Sequence, residues 1–167
     1  ILSFLPRSGD MISSLTSVAQ ELESEKFVNV ELGSKWMPFD RLTATAAVYR
    51  LDRTNTRAPD PTDPSRFVQT GKARTTGVEL AAYGNVTSLW SIAGTYTNQT
   101  AKIMSRTASA APGATPAIVP HTVASLWNKV HVARRLDLGL GASRQSDMYA
   151  AVDNLVRLRG YTRVDGA

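Results

Sequence analysis

The stretch Leu136-Asp137-Leu138-Gly139-Leu140-Gly141-Ala142 places an apolar residue at every second position, with aspartate or glycine between. Successive side chains of a β-strand point to opposite faces of its sheet, so this period of two predicts a strand with one apolar face. An α-helix would need a period of 3.6 residues, which the stretch does not show. The chain is therefore expected to form strands with one apolar face and one polar face.

The same alternation recurs along the chain. Val28, Val30 and Leu32 alternate with polar residues, and Trp90, Ile92 and Tyr96 do so again. In the segment around Tyr49 the two faces are hardest to tell apart; since Arg50 and Asp52 share one face, we expect the Tyr49 face to be apolar. The pattern predicts seven strands, near residues 27–36, 41–52, 68–84, 88–100, 120–132, 136–146 and 160–167.

The connections between these strands alternate in length. Short turns are predicted at Met37–Asp40, Asn85–Thr87 and Ala133–Arg135, and long links at about 53–67, 101–119 and 147–159. The opening stretch, Ser3 to Ser24, is interpreted as a further loop. Tight turns at one end and long loops at the other are typical of outer-membrane barrels. An antiparallel, up-and-down transmembrane β-barrel, all-β in class, is the predicted fold.

Composition limits the chemistry. The 167 residues include no cysteine and two histidines, which argues against thiolate or histidine-rich metal sites. No serine-hydrolase, zinc-protease or phosphate-loop motif is present, so we expect no enzyme. The net charge of +5 indicates an anionic partner or an ordinary solvated surface.

Five segments, in order, carry a family resemblance. They resemble the barrel strands of TonB-dependent siderophore receptors, especially the catecholate type. The segments are Asn29-Val30-Glu31-Leu32-Gly33-Ser34-Lys35, Leu42 to Asn55, Gln69-Thr70-Gly71 with Arg74 and Thr76-Gly77-Val78-Glu79, Pro120-His121 with Leu126-Trp127, and Asp153-Asn154 with Gly160-Tyr161. The resemblance runs from about residue 3 to the end.

The resemblance implies a function as well as a fold. Members of the family lie in the bacterial outer membrane and import ferric siderophores through a plugged barrel, driven by the TonB energy-coupling complex. Residues 1–167 would then be part of such a barrel domain, with the plug and the remaining strands outside it, because seven strands cannot close a barrel of this class. The implied partners are the ferric siderophore, TonB and outer-membrane lipid or lipopolysaccharide, and no nucleic acid. The siderophore is a transported ligand, and no covalently bound cofactor is expected.

Cations of the long links are the candidate ligand contacts. Between residues 53 and 76, five cations against Asp60 and Asp63 give a net charge of +3. Ferric tris-catecholates are anionic, and arginine offers planar donors to their oxygens. Attraction to lipopolysaccharide phosphates, or plain solubility, would explain the same charges. The candidates are Arg53, Arg57, Arg66, Arg74, Lys102 and Arg106.

Two other classes of protein fit the alternation. A soluble or secreted β-rich ligand-binding module, such as a carbohydrate-binding sandwich, would pack the apolar face of its sheet against a second protein layer. A passive porin or autotransporter barrel would also expose an apolar face to lipid, but its transport would need no energy coupling. Inner-wall residues, namely Glu31, Lys35, Glu79, Lys129, His121 and His131, are expected to face the lumen in any barrel of this kind.

Overall fold

A computed structural model describes residues 2–5, 24–59, 62–63, 67–108 and 110–167. The fold class is all-β, as the alternation predicted. The strands, in chain order, are β1 (Leu2–Leu5), β2 (Glu25–Phe39), β3 (Leu42–Pro59), β4 (Phe67–Asn85), β5 (Trp90–Ile103), β6 (Thr122–Ala133), β7 (Leu136–Gln145), β8 (Met148–Tyr149), β9 (Arg157–Leu158) and β10 (Tyr161–Gly166).

Eight of these strands form one antiparallel sheet in the order β1-β2-β3-β4-β5-β6-β7-β10. Each strand pairs with the one before it, and the short β8–β9 pair forms a separate hairpin inside the last long link. All seven predicted strands are present, and one more strand joins them, because Leu2–Leu5 pairs with β2 in a stretch predicted to be loop. Four residues are too few to show an alternation, and residues 6–23 lie outside the described part of the chain.

The register gives the sheet a simple rule. One row across the sheet runs Lys35, Thr45, Ala81, Thr95 and Ser125, and every member has an odd number. Paired residues lie on the same face, so odd-numbered side chains share one face and even-numbered ones the other, apart from irregular positions near the strand ends. We call these the inner and the outer face.

The outer face is apolar over the middle of the sheet. Leu32 is 76% exposed and Leu140 is 60% exposed, although both lie in the centre of long strands. Among the described residues, the buried apolar side chains are Leu42, Ala101, Ile103 and Ala110, and none of them forms a core beneath this face. An uncovered apolar face of this extent is what a barrel presents to lipid.

The inner face is polar and built from small residues. Glu31, Lys35, Glu79 and Lys129 all lie on it, as the sequence predicted. The prediction that the Tyr49 face is the apolar one was wrong, because Tyr49 lies in one row with Glu31 and Gln99. Arg50 and Asp52, on which that prediction rested, lie near the loop end of β3, beyond the apolar residues of its outer face.

The two ends of the sheet differ as predicted. Short turns join the strands at 40–41, 86–89 and 134–135, and long links join them at 60–66, 104–121 and 146–160. By the rule for outer-membrane barrels, the long links mark the extracellular end. β3 and β4 continue farther toward that end than predicted, which shortens the link expected at 53–67. Within the described part of the chain, no helix has the length and apolar character needed to cross a membrane.

Candidate functional site

The inner wall is a continuous polar surface between β2 and β5. Glu31, Lys35, Glu79 and Thr97 line a shallow depression of about 580 Å³, and Gly33 forms part of its floor. Because Gly33 has no side chain, nothing fills the depression at this position, and the carboxylates of Glu31 and Glu79 remain exposed beside it. Such a surface can hold water or receive cationic side chains of another protein segment.

Two aromatic rings lie flat against this wall. A Cβ atom added to Gly77 would be 2.8 Å from the Tyr49 hydroxyl and 2.9 Å from its ring, so Tyr49 covers the glycine on the neighbouring strand. Trp127 covers Gly139 and Gly141 in the same manner. The position of Trp127 on the inner face agrees with its odd number. The Tyr49 hydroxyl also donates a hydrogen bond of 2.9 Å to Gln99 Oε1, which ties β3 to β5.

Arg53 lies at the extracellular end of the inner face. Its guanidinium pairs with Glu25 through a 2.8 Å contact from Nη2 and a 3.1 Å contact from Nε. The guanidinium carbon also lies 5.5 Å from the centre of the Phe27 ring. Carboxylate and ring hold Arg53 in place, and the side chain is still exposed at the mouth of the wall.

The other candidate cations do not gather around Arg53. Arg74 and Lys102 are paired neighbours on the outer face, on the opposite side of the sheet. Arg106 lies exposed in the link 104–121. Arg57 belongs to the end of β3, where its side chain lies outside the described part, and Arg66 lies outside the described residues altogether. The parity of Arg74 with Val78 and Leu80, visible in the sequence, indicates the face on which it lies.

The two last long links are fastened together by Asn154. Its Oδ1 accepts a hydrogen bond of 2.8 Å from the Thr115 N–H, and its Nδ2 donates one of 2.8 Å to the Thr115 carbonyl. The Ile118 N–H donates to the Tyr149 carbonyl nearby. Asn154 adopts a φ of 57°, which asparagine tolerates better than most residues. In the sequence, Asn154 stood out only as part of a segment that resembles the family, and its contact with Thr115 was not predicted.

A second contact closes the last of these links. Asp147 Oδ1 accepts a hydrogen bond of 2.9 Å from the Gly160 N–H, and its Oδ2 lies 3.1 Å from Arg157 Nη2. The Gly160 N–H first, and then the Arg157 charge, lower the pKa of Asp147 below its ordinary value. A lowered pKa means that the contact is complete at neutral pH and is lost only as the pH falls through that lowered value.

Each histidine contacts a group on a neighbouring strand. His131 Nδ1 lies 2.6 Å from Asp137 Oδ1, and Lys129 reaches the same carboxylate at 3.4 Å. His121 Nδ1 lies 3.0 Å from the Gln99 carbonyl. Within the described ranges, no three side chains of the metal-binding types come together. Both histidines stabilise neighbouring strands by local contacts.

Comparison with known proteins shows which family has this fold. The family model "TonB dependent receptor-like, beta-barrel" matches residues 3–167. The probable TonB-dependent siderophore receptor PiuA of Acinetobacter baumannii is 28% identical over 94% of this chain and 22% of its own length. The catecholate siderophore receptor Fiu of Escherichia coli K12 is 30% identical over 85% of this chain and 19% of its own length.

Solved structures agree with the sequence relatives. The crystal structure of PiuA superposes on 99% of this chain and 26% of its own, with a TM-score of 0.85 and 27% identity. The closed form of Fiu covers 87% of this chain and 21% of its own, with a TM-score of 0.75 and 29% identity. The chain spans about a fifth of the length of the curated relatives it matches. It belongs to the family of TonB-dependent receptor β-barrels of the bacterial outer membrane.

Proposed function

We propose that this chain forms eight neighbouring strands of a closed, plugged barrel that imports ferric siderophores with energy from TonB. The observation that carries the proposal is the single sheet with an uncovered apolar outer face and a polar inner face. PiuA and Fiu, which are siderophore receptors by name, match 94% and 85% of this chain. A soluble sandwich would bury the apolar face against a second layer, and none covers it in the described part of the chain.

Closure of the barrel requires further strands. Within the described sheet, β1 pairs with β2 alone and β10 pairs with β7 alone. In lipid, each unpaired backbone group at such an edge costs several kcal/mol, so open edges do not persist there. Residues 1–167 are therefore proposed as part of one barrel domain, with the plug and the other strands supplied by sequence outside these residues.

The inner wall is the proposed contact surface for the plug. Glu31 and Glu79 flank the depression, and Lys35 is the cation among its lining residues. An excess of carboxylates favours cationic side chains of the plug at this place. Because the plug must be displaced during import, contacts that are polar and replaceable by water suit this surface better than a packed apolar interface.

Ligand capture is proposed at the extracellular mouth, with cations of the strand ends and links attracting an anionic ferric complex. Arg53 is the described candidate that faces the lumen, and Arg106 lies in a link at the same end. Arg57 and Arg66 stay candidates from the sequence. Lipopolysaccharide or other outer-membrane lipid is the proposed partner of the outer face.

The proposal is tested by uptake in cells. A strain that lacks its own catecholate receptors is given the receptor containing this chain, and entry of ⁵⁵Fe as a ferric tris-catecholate is measured with and without TonB. We expect uptake that disappears in the TonB-deficient strain. Uptake that persists without TonB would favour a passive porin, and a monomeric, cooperatively melting product of residues 1–167 in plain buffer would favour the soluble module.

Arg53→Gln is expected to weaken binding of a ferric tris-catecholate about tenfold, the loss of roughly one hydrogen bond to a charged group. Binding is measured by quenching of the intrinsic fluorescence of the purified receptor. Lys129→Gln is the control, because it removes an inner-face charge at the far end of the wall, where Lys129 pairs with Asp137. Equal losses in the two variants would show a general charge effect and exclude Arg53 from the site.

A further inference from the structure

The link 104–121 lies against the inner side of β5 at its extracellular end. Ala101 and Ile103 belong to the inner face there, and they are only 3% and 9% exposed. The link returns to this point, since the Ile103 N–H donates a hydrogen bond of 2.8 Å to the Ala114 carbonyl. The Gly113 N–H donates one of the same length to the Ile103 carbonyl. The link therefore covers part of the mouth of the inner wall.

This link is joined to the last one at two points. Asn154 pairs with both backbone groups of Thr115, as a neighbouring strand of a sheet would. Its Nδ2 also donates a hydrogen bond of 3.2 Å to the Ala151 carbonyl, which fixes the amide within its own link. The second point is the 2.8 Å hydrogen bond from the Ile118 N–H to the Tyr149 carbonyl. We call the Asn154–Thr115 contact the clasp, and the links 104–121 and 146–160 the joined links.

The backbone between the two points is held in a defined conformation. Ile118 has a φ of 59°, which is rare for a β-branched residue. A conformation of this kind costs free energy and persists only where surrounding contacts determine it. Thr115 and Val119 each precede a proline, which restricts both residues to extended backbone. Because the segment has little freedom of its own, fixing it at Thr115 fixes the position of the whole link.

The joined links present cations and apolar side chains together at the extracellular end. Arg106 lies exposed on one link and Arg157 on the other. Ile118, Leu155 and Val156 are 57%, 82% and 59% exposed. A ferric tris-catecholate carries negative charge and aromatic rings, and arginine both attracts such charge and stacks on such rings. The joined links therefore suit the ligand class of the proposed function.

We propose that Asn154 is a positioning residue for ligand binding, whose clasp on Thr115 holds the joined links in place over the mouth of the inner wall. Links that are already ordered meet the ferric complex without an ordering cost, whereas unclasped links must be ordered when it binds. Asn154 acts through the links, so loss of the clasp weakens binding and leaves the later import step unchanged. The identity of the ligand rests on the proposed function, but the clasp itself does not.

Asn154→Gly removes both hydrogen bonds to Thr115, while glycine adopts the φ of 57° without strain. In the full receptor it is expected to weaken binding of a ferric tris-catecholate about tenfold, measured by fluorescence quenching. The concentration that gives half-maximal ⁵⁵Fe uptake should rise by the same factor, whereas the maximal rate per folded receptor should stay unchanged. Ala151→Gly is the matched control, because it adds a glycine to the same turn and keeps the clasp. Its affinity should equal that of the unsubstituted receptor.

Hydrogen exchange of peptides that cover residues 113–119 tests the clasp without any ligand. The Thr115 amide should exchange about tenfold faster in Asn154→Gly and at its original rate in Ala151→Gly. The gel mobility of the unheated receptor shows that the barrel of each variant is folded.

Unchanged exchange of Thr115 in Asn154→Gly would refute the clasp. Faster exchange with unchanged affinity, an equal loss of affinity in Ala151→Gly, or a fall in the maximal uptake rate as large as the fall in affinity would refute the positioning role. An unsubstituted receptor that neither binds nor imports the ferric complex would contradict the proposed function and with it the positioning role. The exchange measurement would still decide the clasp, so the two failures are distinguishable.

Discussion

Replacing Ala46 by arginine is expected to destabilise the barrel by about 2–4 kcal/mol, whereas the same replacement at Ala47 should cost at most about 1 kcal/mol. The two alanines are neighbours in β3, half-buried and identical before substitution. Ala46 pairs with Leu80 on the outer face, and Ala47 pairs with Glu79 on the inner face. Ala46 is the fourth residue after Leu42, near the middle of the apolar band, where a guanidinium has no water and no partner.

The free energy of unfolding is measured by urea titration of the receptor in lipid vesicles. The folded fraction at each urea concentration is read from the difference in gel mobility between the folded and the heat-denatured barrel. Arginine at 47 lies beside the depression of the inner wall and can pair with Glu79, so its folding should resemble that of the unsubstituted protein. Equal destabilisation by the two substitutions would mean that both faces are enclosed. That result would remove the membrane barrel and return the soluble sandwich to consideration.

The alternation of residues was sufficient to predict the central sheet, because lipid imposes an apolar side chain at every second position over about ten residues. Beyond the lipid that constraint ends, but the backbone ladder continues. β3 therefore reaches Pro59 through Arg53 and Asn55, which show no alternation. The shift of register between Arg53 and Thr56 and the φ of 59° at Asn55 also lie where the pattern had already ended.

The sequence was enough to predict the positive charge of the candidate site, but only part of where its cations lie on the sheet. Counting cations in residues 53–106 predicted a basic end at the long links, and of these candidates Arg53, Arg74, Lys102 and Arg106 have described side chains. Their separation into two faces was present in the sequence as parity, since Arg74 shares its parity with Val78 and Leu80, and Lys102 shares its parity with Trp90 and Ile92. The pairing of Arg53 with Glu25 could not be predicted, because the two residues are 28 positions apart in sequence and meet only through the register of β2 against β3.

Gly84→Ala is expected to destabilise the barrel by about 2–4 kcal/mol, through backbone strain and overpacking together. Gly84 has a φ of 132°, a conformation that residues with a side chain rarely adopt. An added Cβ would also collide with the Arg41 carbonyl oxygen, which already accepts a hydrogen bond of 2.8 Å from the Asn85 N–H. Because the obstacle is backbone at the start of β3 and in the turn before it, relief requires separation of β3 and β4 beside Leu42, which is one of the few buried apolar residues among the described side chains.

Gly94→Ala is the matched control for Gly84→Ala, since Gly94 lies on the same face of the next strand. The nearest atom to its added Cβ would be the flexible tip of Leu126, at 3.1 Å. The control should change stability by no more than about 1 kcal/mol, because alanine restricts the unfolded chain and the leucine tip can move. Both variants are compared by urea unfolding from vesicles. If Gly84→Ala proved as mild as Gly94→Ala, the close approach of β4 to the Arg41 carbonyl would be refuted, and with it the register that defines the short-turn end of the inner wall.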